Sequence, residues 1–123
     1  MILIDTSVWI RAFIGREPFL SRLDSLMDRE EVVGHELVYG ELLIGDRGGR
    51  KKFLDDYALM HQARPAPHQE VVTFVRERKL HGRGVGWIDV HLLAAALAGG
   101  HQLWSADPRL ASLAEELGAA YRI

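Results

Sequence analysis

Cysteine is absent from the 123 residues, which removes disulfides and thiolate metal sites at once. Such a chain suits a reducing compartment, and a cytoplasmic location is expected. Positive charge is not in excess either. Fifteen Lys and Arg face 17 Asp and Glu, for a net charge of −2, so the usual electrostatic footprint of a nucleic-acid binder is missing. That weighs against simple electrostatic binding, unless several acids gather in one pocket where cations cancel them locally. No uninterrupted apolar run approaches the roughly 20 residues that span a bilayer. The N-terminus has no basic region ahead of a long apolar stretch, so neither a membrane anchor nor a secretion signal is expected.

What remains is ordinary globular material. An apolar fraction of 48% argues against disorder, and the length suits a single domain, 1–123. Apolar periodicity predicts a strand over Ile2–Asp5 and a helix over Ser7–Ile14, with Thr6 and Ser7 as capping hydroxyls. A second helix runs from Pro18, with Leu20, Leu23 and Met27 on one face. A short strand over Glu31–Gly34 and helices over His35–Ile44 and Arg50–His61 follow. Arg64-Pro65-Ala66-Pro67 is a connector or edge strand, because proline cannot continue a helix. The next helix carries Val71, Val72, Phe74 and Val75 and ends near Lys79. A flexible stretch over His81–Gly86 leads to a helix over Ile88–Ala98, a strand over His101–Ser105 and a helix over Pro108–Leu117. Ala119–Ile123 is expected as a closing edge strand. Strands alternating with helices predict an α/β fold with a central, mainly parallel sheet.

Four acids stand where the chain changes direction or structure type: Asp5, Glu41, Asp89 and Asp107. Asp5 ends the run Ile2-Leu3-Ile4, and Asp107 follows Leu103-Trp104-Ser105-Ala106 in the same way. Carboxylates at the C-terminal ends of parallel strands face the crevice in which open α/β sheets bind ligands. Several of them converging there, with no cysteine and no nucleophile signature beside them, point to a hard divalent cation. Each acid also has a structural explanation. Asp5 and Asp107 suit helix N-caps, and Asp89 suits the positive end of its helix. Glu41, among Leu37, Val38, Leu42 and Ile44, is harder to explain, since a carboxylate near a buried face is costly unless paired or metal-bound.

The pieces Ile2-Leu3-Ile4-Asp5-Thr6-Ser7, Gly40-Glu41-Leu42, Asp89 followed by Leu92-Leu93-Ala94-Ala95-Ala96, and Leu103-Trp104-Ser105-Ala106-Asp107 together resemble the PIN-domain family, and more closely its VapC-type toxins. The resemblance covers nearly the whole chain. It departs from the family at Ser105, where Thr is frequent, and at Pro108-Arg109-Leu110, where another acid or Phe often follows the final Asp. The resemblance implies a PIN-like α/β/α sandwich with four to five strands. It also implies a Mg²⁺- or Mn²⁺-dependent endoribonuclease, restrained by a VapB-type antitoxin and forming a homodimer. Asp5, Glu41 and Asp89 would be direct or water-mediated metal ligands, with Asp107 completing the catalytic set. The hydroxyls of Thr6, Ser7 and Ser105 would support those ligands or touch phosphate. The alternatives are a housekeeping PIN-domain RNA-processing nuclease and a PIN domain that binds RNA without cutting it. A receiver-like regulatory domain fits poorly, because no lysine lies beyond Lys79.

Other residue groups carry weaker signals. The histidines at 35, 61, 68, 81, 91 and 101 make no compact ligand pattern. Gly82, Gly84 and Gly86 lack the strand before and the Gly-Lys-Ser/Thr after that a phosphate loop needs. Arg50, Lys51, Lys52 and Arg83 are candidate RNA-phosphate contacts, although such clusters are commonly solvated helix surface. Trp9, Trp87 and Trp104 adjoin the motifs and are expected in the core, with base stacking as the minority role.

Overall fold

The computed structural model describes residues 1–123. Its centre is a parallel sheet in which β1 (Ile2–Ile4) lies between β2 (Val32–Val33) and β3 (Gln102–Trp104). Ile2 pairs with Val32 and Gln102, and Leu3 with Val33 and Leu103. The strands are short and buried, as expected of a parallel sheet covered on both faces. Helices α1 (Thr6–Phe13) and α2 (Phe19–Asp28) carry the chain from β1 to β2. The return passes through α3 (Glu36–Ile44), α4 (Lys51–Leu59), α5 (His68–Arg78) and α6 (Trp87–Gly99) to β3, and α7 (Pro108–Glu116) follows. The first crossover leaves β1 toward one side and the second brings β3 to the other. The strand order therefore switches at β1, and the crevice opens beyond the C-terminal end of that strand.

The predicted four to five strands become three. Each outer edge gains only a single parallel bridge, Gln62 to Gly34 and Ala120 to Leu103. Beside Gln62 the ladder cannot extend, because Pro65 and Pro67 offer no N–H to a neighbour. The expected closing strand over 119–123 is reduced to Ala120, flanked by bonds from the Leu103 N–H to Ala119 at 2.7 Å and from the Tyr121 N–H to Leu103 at 2.9 Å. The α/β sandwich itself holds.

The core joins Leu3 and Ile4 to Leu92, Leu93 and Ala96 of α6 and to Leu110 and Leu113 of α7. A second packing centre gathers Trp9 against Phe53 and Tyr57, with ring centroids 5.1 and 5.7 Å apart. The tryptophan expectation holds for Trp9 and Trp104, each 3% exposed, and fails for Trp87, which is 44% exposed. Trp87 is the first residue of α6, one turn ahead of the buried face that begins at Val90. No helix is long and apolar enough to cross a membrane.

Candidate active site

The β1–α1 turn sets the site. Asp5 follows the last residue of β1 and is 4% exposed. Its backbone is extended, and its Oδ1 accepts from the Ser7 N–H, making it the N-cap of α1. The helix therefore starts at Thr6 rather than at Ser7, and the capping group is the acid itself. Asp107 repeats this geometry at α7: its Oδ1 accepts from the Arg109 N–H at 2.9 Å, with Pro108 in the first turn. Asp89 is the third residue of α6 and accepts from the Gly86 N–H at 2.9 Å, the reciprocal half of a capping box. Three of the four acids therefore do serve helix starts.

Capping does not account for what else meets there. The Ser105 hydroxyl donates to Asp5 Oδ2, and the Ser7 hydroxyl to Asp5 Oδ1. Each serine oxygen in turn accepts a backbone N–H from the β3–α7 turn, Ala106 onto Ser7 and Asp107 onto Ser105, both at 3.0 Å. Two hydroxyls thus lock the strand-end turns of β1 and β3 together, with the Asp5 carboxylate between them. On the other flank the Thr6 hydroxyl donates to Glu41 Oε1 at 2.7 Å, fixing α3 against the start of α1. Burial raises the Asp89 pKa, the bond from Gly86 opposes the rise, and the negative charges of Asp5 and Asp107 add to it. Asp5 and Asp107 follow the neighbouring strands β1 and β3, and Asp89 lies within reach of both charges.

No Lys, Arg or His pairs with Asp5, Glu41, Asp89 or Asp107; the chain's five ion pairs all lie elsewhere. Uncompensated, partly buried carboxylates are the donor set a hard divalent cation takes, and in chemical type the residues fit one. As the side chains stand, no three His, Asp or Glu residues converge to the spacing of a closed ligand set. A bound ion would need ligand side chains to turn inward or waters to complete its shell.

The candidate RNA-phosphate residues are already engaged. Lys51 and Lys52 pair with Asp55 and Asp56 one turn along α4, at 2.8 and 3.1 Å. Arg83 pairs with Glu116. Arg50 lies over the Phe13 ring, 3.8 Å from its centroid, on the wall of a groove of about 520 Å³ that Glu41, Ile10, Phe13 and Arg47 also line. Of these cations, Arg50 alone lines that groove together with a site acid.

His35 and Tyr57 were not singled out by sequence reasoning. His35 is fully buried and caps α3, its Nδ1 accepting from the Leu37 N–H at 3.0 Å. Its own N–H donates to the Tyr57 hydroxyl at 2.9 Å. The available signal was positional, since His35 comes after β2 and the bridge residue Gly34 much as Asp5 comes after β1.

A PIN-domain family model matches residues 2–116. Ribonuclease VapC32 of Mycobacterium tuberculosis, in strains CDC 1551 and H37Rv alike, is 40% identical over 121 residues, covering 98% of this chain and 95% of that protein. The crystal structure of FitAcB from Neisseria gonorrhoeae has the same fold, with a TM-score of 0.64, 23% identity and 94% of each chain covered. PAE2754 from Pyrobaculum aerophilum shares it too, at a TM-score of 0.57 and 18% identity over 96% of this chain and 95% of that one. Motif order, fold and family match agree: the chain belongs to the PIN-domain family.

Proposed function

We propose that the protein is a Mg²⁺- or Mn²⁺-dependent endoribonuclease acting in the cytoplasm as the toxin of a toxin–antitoxin pair. The observation that carries this reading is Asp5. It is a buried carboxylate with both oxygens held by hydroxyls and no cation beside it, at the switch point of a parallel sheet with Asp89 and Asp107 near. The likeness to a protein named Ribonuclease VapC32 supplies the substrate class.

A hard divalent cation supplies an activated water and charge stabilisation in phosphodiester hydrolysis. Asp5, Asp89 and Glu41 would hold it, directly or through water, with Asp107 closing the site. Ser7 and Ser105 keep Asp5 oriented, and Thr6 holds Glu41 against the start of α1. Water activation and charge stabilisation would thus draw on acids of which Asp5 and Glu41 are held by hydroxyls and Asp89 and Asp107 by backbone N–H groups. The groove beside Glu41 offers an antitoxin segment an apolar floor at Ile10, Ile14 and Leu42 and a basic wall at Arg47 and Arg50. A homodimer is part of the same reading, and sedimentation equilibrium would test it.

The deciding experiment compares Asp5→Asn, Glu41→Gln and Asp89→Asn with wild type in Mg²⁺ and in EDTA. Each amide should lower cleavage at least about 10²–10³-fold, the cost of losing one strong electrostatic stabiliser. RNA affinity without metal should hold or rise. Amide variants that cut normally in Mg²⁺ would remove the four acids from the reaction. A wild type that binds RNA but never cuts it would favour the non-cutting alternative.

A further inference from the structure

We propose that Trp87, with His68 and His91 beside it, is a stacking platform for one unpaired base of the RNA, next to the acidic mouth. Its substrate class rests on the ribonuclease reading above. The molecule hides its other two tryptophans and leaves this one 44% exposed. Packing does not require it there, because the buried face of α6 starts beyond it at Val90.

The ring is not loose. His91, four residues on, stands edge-on to it with centroids 4.9 Å apart and planes at 85°. His68, at the start of α5, lies 5.3 Å away on the neighbouring helix. Two imidazoles on different helices therefore hold the indole in place while nearly half its surface faces solvent. A held aromatic face is what sequence-tolerant base stacking uses.

Position decides the occupant. Trp87 and Asp89 share the first turn of α6, and residues two apart project to different sides of a helix. The indole thus cannot reach a phosphate held by the acids, but it can meet the base of a flanking nucleotide. The indole carries no charge to hold a phosphate, and its exposed face suits a neutral base.

The test uses the full chain in EDTA, with short oligoadenylate, oligouridylate and an abasic ribose-phosphate strand of equal length as probes. Trp9 and Trp104 are buried, so quenching of tryptophan emission reports on Trp87. Oligoadenylate should quench strongly, oligouridylate less and the abasic strand hardly at all. Trp87→Ala should weaken oligoadenylate binding by about 5–150-fold, the effect of losing one stacked base. Trp87→Phe should keep most of the affinity, with circular dichroism confirming both folds. Equal quenching by the abasic strand, or unchanged affinity in Trp87→Ala, overturns the proposal. So does a Trp87→Ala variant that loses self-association while binding RNA as before, since the ring then belongs to a protein interface. Asp5→Asn should keep the quench while losing cleavage. If wild type quenches as expected but cuts nothing in Mg²⁺, the ribonuclease reading falls and the platform stands. If wild type cuts and Trp87→Ala binds equally well, the platform alone falls.

Discussion

Asp5 and His35 are the two buried polar side chains of the molecule, and locally they do the same job. Each follows a strand of the parallel sheet, and each caps the next helix by accepting the N–H two residues ahead, at Ser7 and at Leu37. They differ in what surrounds them. Around Asp5 stand two hydroxyls that join separate turns, two further aspartates and no cation. Around His35 stand the Tyr57 hydroxyl and packed side chains, and its Nε2 has no hydrogen-bond partner. A cap explains either residue alone. Convergence of like charge explains only Asp5, and that difference separates a candidate active site from a structural joint.

The largest expected effect tests that separation directly. Asp5→Asn retains an oxygen for the Ser7 N–H, and the Ser105 hydroxyl can turn to accept from the new amide. The fold should survive while cleavage falls at least about 10²–10³-fold. His35→Asn also retains a cap acceptor, and its cleavage at saturating RNA should match wild type. Measuring kcat and melting temperature for both variants decides the matter. A kcat loss in His35→Asn as deep as in Asp5→Asn would erase the distinction.

Metal should sharpen the contrast next. A cation that binds only the folded state at 100 times its Kd adds about 2.7 kcal/mol of stability. Thermal melts in EDTA and in millimolar Mg²⁺ should therefore diverge for wild type and for His35→Asn. They should converge for Asp5→Asn and Asp89→Asn. Asp89→Asn should also be the more stable protein without metal, because its carboxylate is half-buried and feels the charges of Asp5 and Asp107. Coincident melts for wild type would count against a metal site.

Tyr57 probes the His35 side. Tyr57→Phe leaves the buried His35 N–H without an acceptor, at a cost of about 1–3 kcal/mol, and cleavage should not change. Burial pushes the Tyr57 pKa up to about 12. Above the ordinary tyrosine value of about 10 the unfolded chain releases a proton that the native state keeps, so stability falls as pH rises through that window. Denaturant melts at pH 9 and 11 should show this alkaline loss in wild type and a smaller one in Tyr57→Phe.

Much of this was legible in the chain, for a physical reason. Ile2-Leu3-Ile4 and Leu103-Trp104 are short apolar runs ending in Asp5 and Ser105, and buried parallel strands leave that trace. All seven helices follow from apolar spacing, with bounds shifted by a few residues at their ends. The edges of the sheet were not legible. A single bridge at Gln62 or Ala120 has no periodicity, and distant partners decide whether it grows into a strand. The exposure of Trp87 was hidden too, since one residue ahead of a buried face looks the same in sequence as one within it. In the site, residue types indicated which acids matter. The hydroxyl links from Ser7 and Ser105 depend on two turns about a hundred residues apart, which only the fold brings together.

The smallest effect lies on the acid side. Burial lowers the His35 pKa, Glu36 opposes the shift and His91 adds to it. The native ring therefore stays neutral while the unfolded one protonates below its ordinary value of about 6.5. In that range the unfolded chain binds more protons, so stability declines as pH falls from about 6.5 toward the lowered native value and levels off beneath it. His91 and His101, also lowered, contribute in the same direction. His35→Asn should make the decline between pH 6.5 and 5.5 shallower without abolishing it. Urea midpoints at those two pH values, compared with wild type, read the difference. An unchanged slope would mean that the protonated ring gains a hydrogen-bond acceptor inside the fold, and His35 would then be more than a neutral joint.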